Sequence, residues 1–253
     1  MNLIDKVAVI TGGAGQIGRA TACKLAEQGA RIFSLVRRNL AEAQQLVDAL
    51  PNKHLNHLAL LVDVKNSEQI KQAAQTIETL AGRCDILVNS AGIALHPPNI
   101  FDLTDEQFDD MMNINLKGAW LMIKEFYPML KSTGDGLIVN ISSVASVRPR
   151  PTSVFYSATK AGLNAMTESL AKTFGPDIRV VAIAPGMLIE PVSGYPFIVG
   201  KKAGPFKLED AINMNPVKRI CTAEDVANAI ESLATTMKFY NGHLLMLDGG
   251  AAL

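Results

Sequence analysis

The sequence is poor in the features that staple a fold from outside or commit a surface to a charged partner. It has only three cysteines, Cys23, Cys84 and Cys221, far apart and without metal-ligand spacing. Neither a disulfide framework nor a metal site is therefore expected, and all three are read as reduced packing residues. Charge of one sign is also missing, because 24 Lys plus Arg balance 24 Asp plus Glu. That balance excludes the broad basic footprint of a nucleic-acid or membrane-surface binder and leaves small molecules as the expected partners. No long apolar segment opens the chain, and residues 1–6 lead straight into a strand-like run. Neither a signal peptide nor a transmembrane span is expected, which makes the cytoplasm the expected address.

What is present is enough apolar material for one sizeable core, 48% of 253 residues, consistent with one α/β domain over residues 1–253. Short β-branched and apolar runs alternate with stretches of helical period, the pattern of repeated βαβ units. The runs at 7–10, 31–36, 58–62, 86–89, 137–141, 179–184 and 244–247 are the expected strands. Their nearly continuous apolar character suits a parallel sheet covered on both faces. Two helix starts are signalled by capping boxes, Thr104 with Gln107 and Thr222 with Asp225. Residues 185–216 hold many prolines and glycines without period. A connection that long reads as a substrate-binding loop, with 187–216 as its extent.

Chemistry first enters at Thr11-Gly12-Gly13-Ala14-Gly15-Gln16-Ile17-Gly18, between the first strand and a helix expected to begin near Ile17. Glycines let the backbone turn tightly and approach a pyrophosphate, and the free N–H groups of the following helix attract its charge. The position between strand and helix makes this a dinucleotide site rather than an ordinary turn. The second strand then ends Val36-Arg37-Arg38-Asn39, with no carboxylate to bind an adenosine ribose and repel a 2′-phosphate. Two guanidinium groups there suit a phosphate, so NADP(H) is expected over NAD(H), with NAD(H) as the alternative. The plainer reading is that one or both arginines solvate the next helix.

Tyr156-Ser157-Ala158-Thr159-Lys160 opens a helical stretch to about Phe174, placing Tyr156 and Lys160 one turn apart on one face. By spacing alone such a pair is a packed aromatic beside a snorkelling amine. Its chemical use is acid/base work, since a cation about 4 Å from the phenol lowers its pKa by roughly three units before screening.

Taken in order, the glycine turn, Asp63-Val64, Asn89-Ser90-Ala91-Gly92, Asn113-Ile114-Asn115, Ile141-Ser142-Ser143, Tyr156 to Lys160, Pro185-Gly186 and Asp248-Gly249-Gly250 resemble the short-chain dehydrogenases/reductases in their compact, single-domain branch. The resemblance runs from Asp5 to Gly250. It implies a Rossmann-type doubly wound parallel sheet of about seven strands flanked by helices. It also implies an NAD(P)(H)-dependent oxidoreductase interconverting a secondary alcohol and a ketone, with no metal. Tyr156 is then the acid/base, and Lys160 lowers its pKa and holds the nicotinamide ribose. Ser143 binds the substrate oxygen beside its structural neighbour Ser142, and Asn115 kinks a helix and positions a water for proton relay. Gly12, Gly15, Ile17 and Gly18 match the diphosphate turn. Asp63 and Val64 match the adenine side, Asn89, Ala91 and Gly92 the ribose and nicotinamide side, and Pro185, Gly186 and Leu188 the nicotinamide itself. The family also implies a homotetramer, for which Ala158, Ala161, Gly162 and Ala165 supply a small-residue face, unless that face packs on the sheet.

Two positions depart from the pattern: Gln16 stands where compact members carry glycine, and Glu190 where many carry threonine. The substrate depends on the loop after Gly92, on residues 144–155 and on the segment after Gly186, with His96, Arg148 and Arg150 as the polar candidates. A free small alcohol, sugar or keto compound is expected, because the turns Gly134-Asp135 and Gly175-Pro176-Asp177, taken to lie at the site's rim, would repel an acidic acyl carrier. Reduction of a 3-oxoacyl thioester on acyl carrier protein is the alternative. A non-catalytic nucleotide-binding module is disfavoured by the joint presence of Asn115, Ser143, Tyr156 and Lys160.

Overall fold

The computed structural model describes residues 1–97, 99–188 and 208–253. Seven strands form one parallel sheet: β1 (Val7–Thr11), β2 (Arg31–Val36), β3 (Leu58–Leu61), β4 (Ile86–Asn89), β5 (Gly136–Ile141), β6 (Ile178–Pro185) and β7 (Leu244–Leu247). Their spatial order is β3-β2-β1-β4-β5-β6-β7. All seven expected runs are strands, with ends shifted by one residue at most. The helices between them are α1 (Gln16–Glu27), α2 (Leu40–Asp48), α3 (Ser67–Ala81), α4 (Asp105–Met112), α5 (Gly118–Ser132), α6 (Val154–Phe174), α7 (Leu208–Met214) and α8 (Ala223–Thr235). Both capping boxes are present, each with its reciprocal pair of hydrogen bonds.

Strand periodicity divides the core into two layers. Ala8 and Ile10 point to the side covered by Leu25 of α1, Val47 of α2 and Ile230 of α8. Val7 and Val9 point to the other, against Ile77 of α3 and Phe126 of α5. The chain winds outward from β1 to β3, then crosses back through α3 to lay β4 on the other flank of β1. The reversal opens a crevice at the carboxyl ends of β1 and β4, where doubly wound sheets bind their ligands.

Three expectations need correction. The segment taken as loop at 187–216 lies mostly outside the described residues, at 189–207, and its later part is helical in α7. Cys23 is exposed, its thiol donating to Glu27 Oε1 at 3.5 Å, so it is not a packing residue; Cys84 is buried and Cys221 intermediate. Asp135 and Asp177 immediately precede β5 and β6, at the amino end of the sheet. They sit at the end opposite the crevice, where Asp135 pairs with Lys238 at 2.6 Å and the Asp177 carbonyl accepts from Gly136 N. Neither turn borders the crevice, so neither can repel an acyl carrier there.

Candidate active site

The loop from β1 to α1 is shaped for close approach to its backbone. Gly12 has φ +65°, and a Cβ there would stand 3.0 Å from the Ala91 backbone. A Cβ on Gly13 would run into Ser34 Oγ, and one on Gly18 into the Gly12 carbonyl. Gly15 is the N-cap of α1 and supplies no side-chain cap. The first-turn N–H groups, those of Ile17 and Gly18 among them, therefore keep their donor capacity and the positive end of the helix dipole. A cradle that side chains would fill, at an uncapped helix start, fits the diphosphate of a dinucleotide.

The flanking residues follow the same end of the sheet. Thr11 Oγ1 accepts from Ser90 N and Ala91 N, both at 3.1 Å, tying the stretch after β4 to the glycine turn. Asn89 Nδ2 donates to Asn140 Oδ1 at 2.9 Å, and Asn140 Nδ2 to Thr167 Oγ1 at 2.9 Å, a polar thread from β4 through β5 to α6. Asp63 Oδ1 accepts from Lys65 N at 2.9 Å, and Val64 is buried against Gly118. Arg37 and Arg38 follow β2 and are exposed. Arg37 lies near enough to Lys65 to oppose its charge, although the hydrogen bond to Asp110 dominates and raises the lysine. On the far side, Gly186 N donates to Leu247 O at 2.9 Å after Pro185 closes β6, and Leu188 bridges to Cys221.

The four expected catalytic residues converge. A π-helical turn at Asn113–Lys117 joins α4 to α5 and carries Asn115, which is 1% exposed. Its amide is fully engaged: Oδ1 accepts from Ile93 N at 2.8 Å, while Nδ2 donates to Ile93 O at 2.8 Å and Thr159 Oγ1 at 3.1 Å. Any contribution to a proton relay then falls to its backbone, which the π turn disturbs. A Cβ on Gly92 would meet Asn115 Oδ1 at 3.3 Å and Lys160 Nζ at 3.5 Å, so the three positions adjoin. Lys160 Nζ donates to Ile141 O at 2.8 Å. Ser143 follows β5, its Oγ accepting from Ala145 N at 3.1 Å, and its hydroxyl hydrogen-bonds to Tyr156.

The electrostatics differ from the expectation at one point. Burial holds the Tyr156 phenol above its ordinary range, and the hydrogen bond from Ser143 is the force opposing it. Lys160 does not pull it down: the ammonium sits 5.8 Å from the centre of the Tyr156 ring and is itself pushed down to about 8 by burial. Desolvation disfavours the charged form of both groups and is the largest influence on each.

The model of the short-chain dehydrogenase family matches residues 6–193. The chain belongs to that family. Among related short-chain dehydrogenases, the 3-oxoacyl-[acyl-carrier-protein] reductase of Thermotoga maritima is 32% identical, over all of both chains. The NAD-dependent glycerol dehydrogenase of Listeria innocua is 35% identical over 98% of this chain and 94% of that one. In solved structures, the 3-ketoacyl-(acyl-carrier-protein) reductase of Brucella melitensis complexed with NADH superposes with a TM-score of 0.87 at 28% identity, covering 99% of this chain and 100% of the other. As a short-chain dehydrogenase the protein is an oxidoreductase of CH–OH and C=O groups that uses a nicotinamide cofactor.

Some of this site was silent in the sequence. The supporting roles of Thr11 and Thr159 have no motif of their own, although both stand inside the glycine turn and the Tyr156 to Lys160 stretch. The Asn140–Thr167 link joins residues 27 apart in sequence, a pairing that only the fold reveals. Of the substrate candidates, His96 stands edge-on to Tyr156 with ring centres 5.7 Å apart, its Nδ1 3.2 Å from Thr152 O. Arg148 and Arg150 are exposed on the loop between Ser143 and Tyr156, with Arg148 Nε donating to Ala252 O at 2.9 Å. Glu190 lies outside the described residues. Among the described residues no cluster could hold a metal ion, and no helix is long and apolar enough to cross a membrane.

Proposed function

We propose that the protein is a cytoplasmic, NADP(H)-preferring reductase of a small ketone, with Tyr156 as the proton donor. The observation that carries the reading is the joint placement of Ser143, Tyr156, Lys160 and Asn115 beside the glycine cradle at the carboxyl end of β1. The cofactor supplies the hydride. Gly12, Gly15, Ile17 and Gly18 hold its diphosphate, while Asp63, Val64, Asn89, Ala91 and Gly92 line its adenosine and ribose side. Pro185, Gly186 and Leu188 border the nicotinamide.

Ser143 and Tyr156 take the carbonyl oxygen between their hydroxyls, which orients the substrate and stabilises the charge that develops there. The phenol donates its proton to that oxygen. A phenol held above its ordinary range by burial carries its proton at neutral pH, the form from which it donates. Lys160 orients the ribose and replenishes the proton, and its lowered pKa of about 8 makes it exchange readily near neutrality. Arg37 and Arg38 supply the phosphate preference: no carboxylate follows β2, and two exposed guanidinium groups do.

One observation supports a second reading, reduction of a 3-oxoacyl thioester on an acidic acyl carrier. The acidic turns lie at the far end of the sheet, whereas Arg148 and Arg150 are exposed on the loop that joins Ser143 to Tyr156. For the homotetramer, Ala158, Ala161 and Ala165 are exposed on α6 rather than turned to the sheet, leaving a face of small side chains on which a second helix can pack closely.

The test is a fluorescence titration with NADPH and NADH, followed by turnover of ketones, alcohols and 3-oxoacyl esters on the same sample. Binding of NADPH at least tenfold tighter, a difference of about 1.4 kcal/mol, with ketone reduction, supports the reading. Tighter binding of NADH overturns the phosphate preference, and binding of neither overturns the whole.

A further inference from the structure

Gln16 is the residue at which the glycine turn departs from the compact branch, and it is the first residue of α1. Its side-chain nitrogen Nε2 is buried and has no hydrogen-bond partner among the described residues. A buried amide N–H2 without an acceptor is costly and uncommon in a native fold, so its retention calls for a cause. Gln16 is also one of the residues around a cavity of about 480 Å³, with Arg19, Leu188, Cys221, Thr222 and Glu224.

The surroundings narrow what the amide meets. Nε2 is a donor only, so its partner must be an acceptor. Thr222 Oγ1 is already the N-cap acceptor for Asp225 N, and the Cys221 thiol donates to Thr222 O at 3.6 Å. The cavity runs from the uncapped start of α1 to Leu188. These are the points between which a dinucleotide's diphosphate and nicotinamide must lie if the cofactor sits as proposed above. From Gln16 and Arg19, at the first turn of α1, the chain presents a neutral donor and a cation three residues apart.

We infer that the Gln16 side-chain amide donates a hydrogen bond to a diphosphate oxygen of the cofactor, adding a side-chain contact where a glycine would leave the task to backbone N–H groups. The inference rests on the proposed dinucleotide site, and the stability lost to an unpaired buried donor is recovered on binding.

The experiment measures the dissociation constants of NADPH, NADH, ADP-ribose and AMP by titration, together with thermal melting, for the parent, Gln16→Met and Gln16→Glu. Gln16→Met keeps the bulk and removes the donor. It is expected to weaken both dinucleotides and ADP-ribose about tenfold, to leave AMP within about twofold, and to melt no lower than the parent without ligand. Gln16→Glu places a carboxylate against the diphosphate, with a larger loss expected for the same three ligands. A purely structural role predicts the reverse pattern, a lower melting temperature with unchanged affinities in the folded protein, and that result overturns the inference. So do affinities within twofold of the parent in both variants. Failure of the parent to bind any dinucleotide instead removes the proposed function on which the inference stands.

Discussion

At the amino end of the sheet, Asp85 is 1% exposed yet accepts from Val7 N at 2.9 Å and from Arg83 Nε and Nη2 at 2.8 and 2.6 Å, with Lys6 Nζ at 3.3 Å. Nearby, His57 accepts from Ile32 N at 3.0 Å and donates from Nε2 to Pro51 O at 2.8 Å. At the carboxyl end, Lys160 is 5% exposed, and among the described residues it has one backbone carbonyl as partner, Tyr156 has one serine, and Gln16 Nε2 and Asn89 Oδ1 have none. The amino end is not perfectly closed, since Arg179 Nε is unpaired although its other nitrogens reach three carbonyls. The contrast still holds. One end satisfies its buried polar groups internally and contributes stability; the other holds them with spare capacity, which is what a binding and proton-transfer site requires.

The sharpest way to break the contrast is to remove one group at each end. Tyr156→Phe deletes a single hydroxyl and is expected to lower kcat at least 10²- to 10⁴-fold, with dinucleotide affinity within about threefold of the parent. Steady-state kinetics beside a binding titration checks both. Asp85→Ala strands Val7 N and two cations and is expected to cost about 3 kcal/mol of stability in urea unfolding. Its kcat per folded molecule stays at the parental value. An activity loss in Asp85→Ala comparable with that in Tyr156→Phe contradicts the division of labour.

A smaller effect sharpens it. The Lys160 pKa is near 8 in the folded state, against about 10.4 in an unfolded chain. Between those values the unfolded state binds more protons, so this group's contribution to stability rises with pH. The burial penalty is in full force below pH 8 and is relieved above it. Urea unfolding from pH 7.5 to 9.5 should show a rise of about 1 to 2 kcal/mol from this source, absent in Lys160→Met. The upper limit avoids the Tyr156 phenol, whose raised pKa lowers stability at higher pH. The smallest effect concerns selectivity: Arg37→Ser with Arg38→Ser should weaken NADPH about tenfold and leave NADH unchanged. Equal losses for both cofactors assign the arginines to solvation.

Much of this division can be read from the chain. Continuous apolar runs located all seven strands, because a strand buried on both faces cannot hide its composition. The residues proposed as catalytic stand out in the sequence as spaced motifs, each at the end of a strand or along a helix. The sign of the Tyr156 shift was not legible: spacing sets the distance between Tyr156 and Lys160, but burial decides which force wins. The acidic turns were misplaced for another reason. Asp135 and Asp177 each precede a strand, and in a parallel sheet a residue before a strand lies at the amino end; chain direction held the answer. The unpaired amide of Gln16 depends on what surrounds it in space, and nothing local in the sequence announces that.

The most direct test of the central claim follows one hydrogen. The protein is incubated with NADPH deuterated at the nicotinamide C4 and with a panel of small ketones and 3-oxoacyl thioesters, and the products are read by mass spectrometry. The account predicts one deuterium on the new carbinol carbon with the parent protein. With Tyr156→Phe it predicts deuterium transfer at least about 10²-fold slower, although that variant still binds NADPH. Equal transfer by the two proteins, with NADPH bound by both, contradicts it.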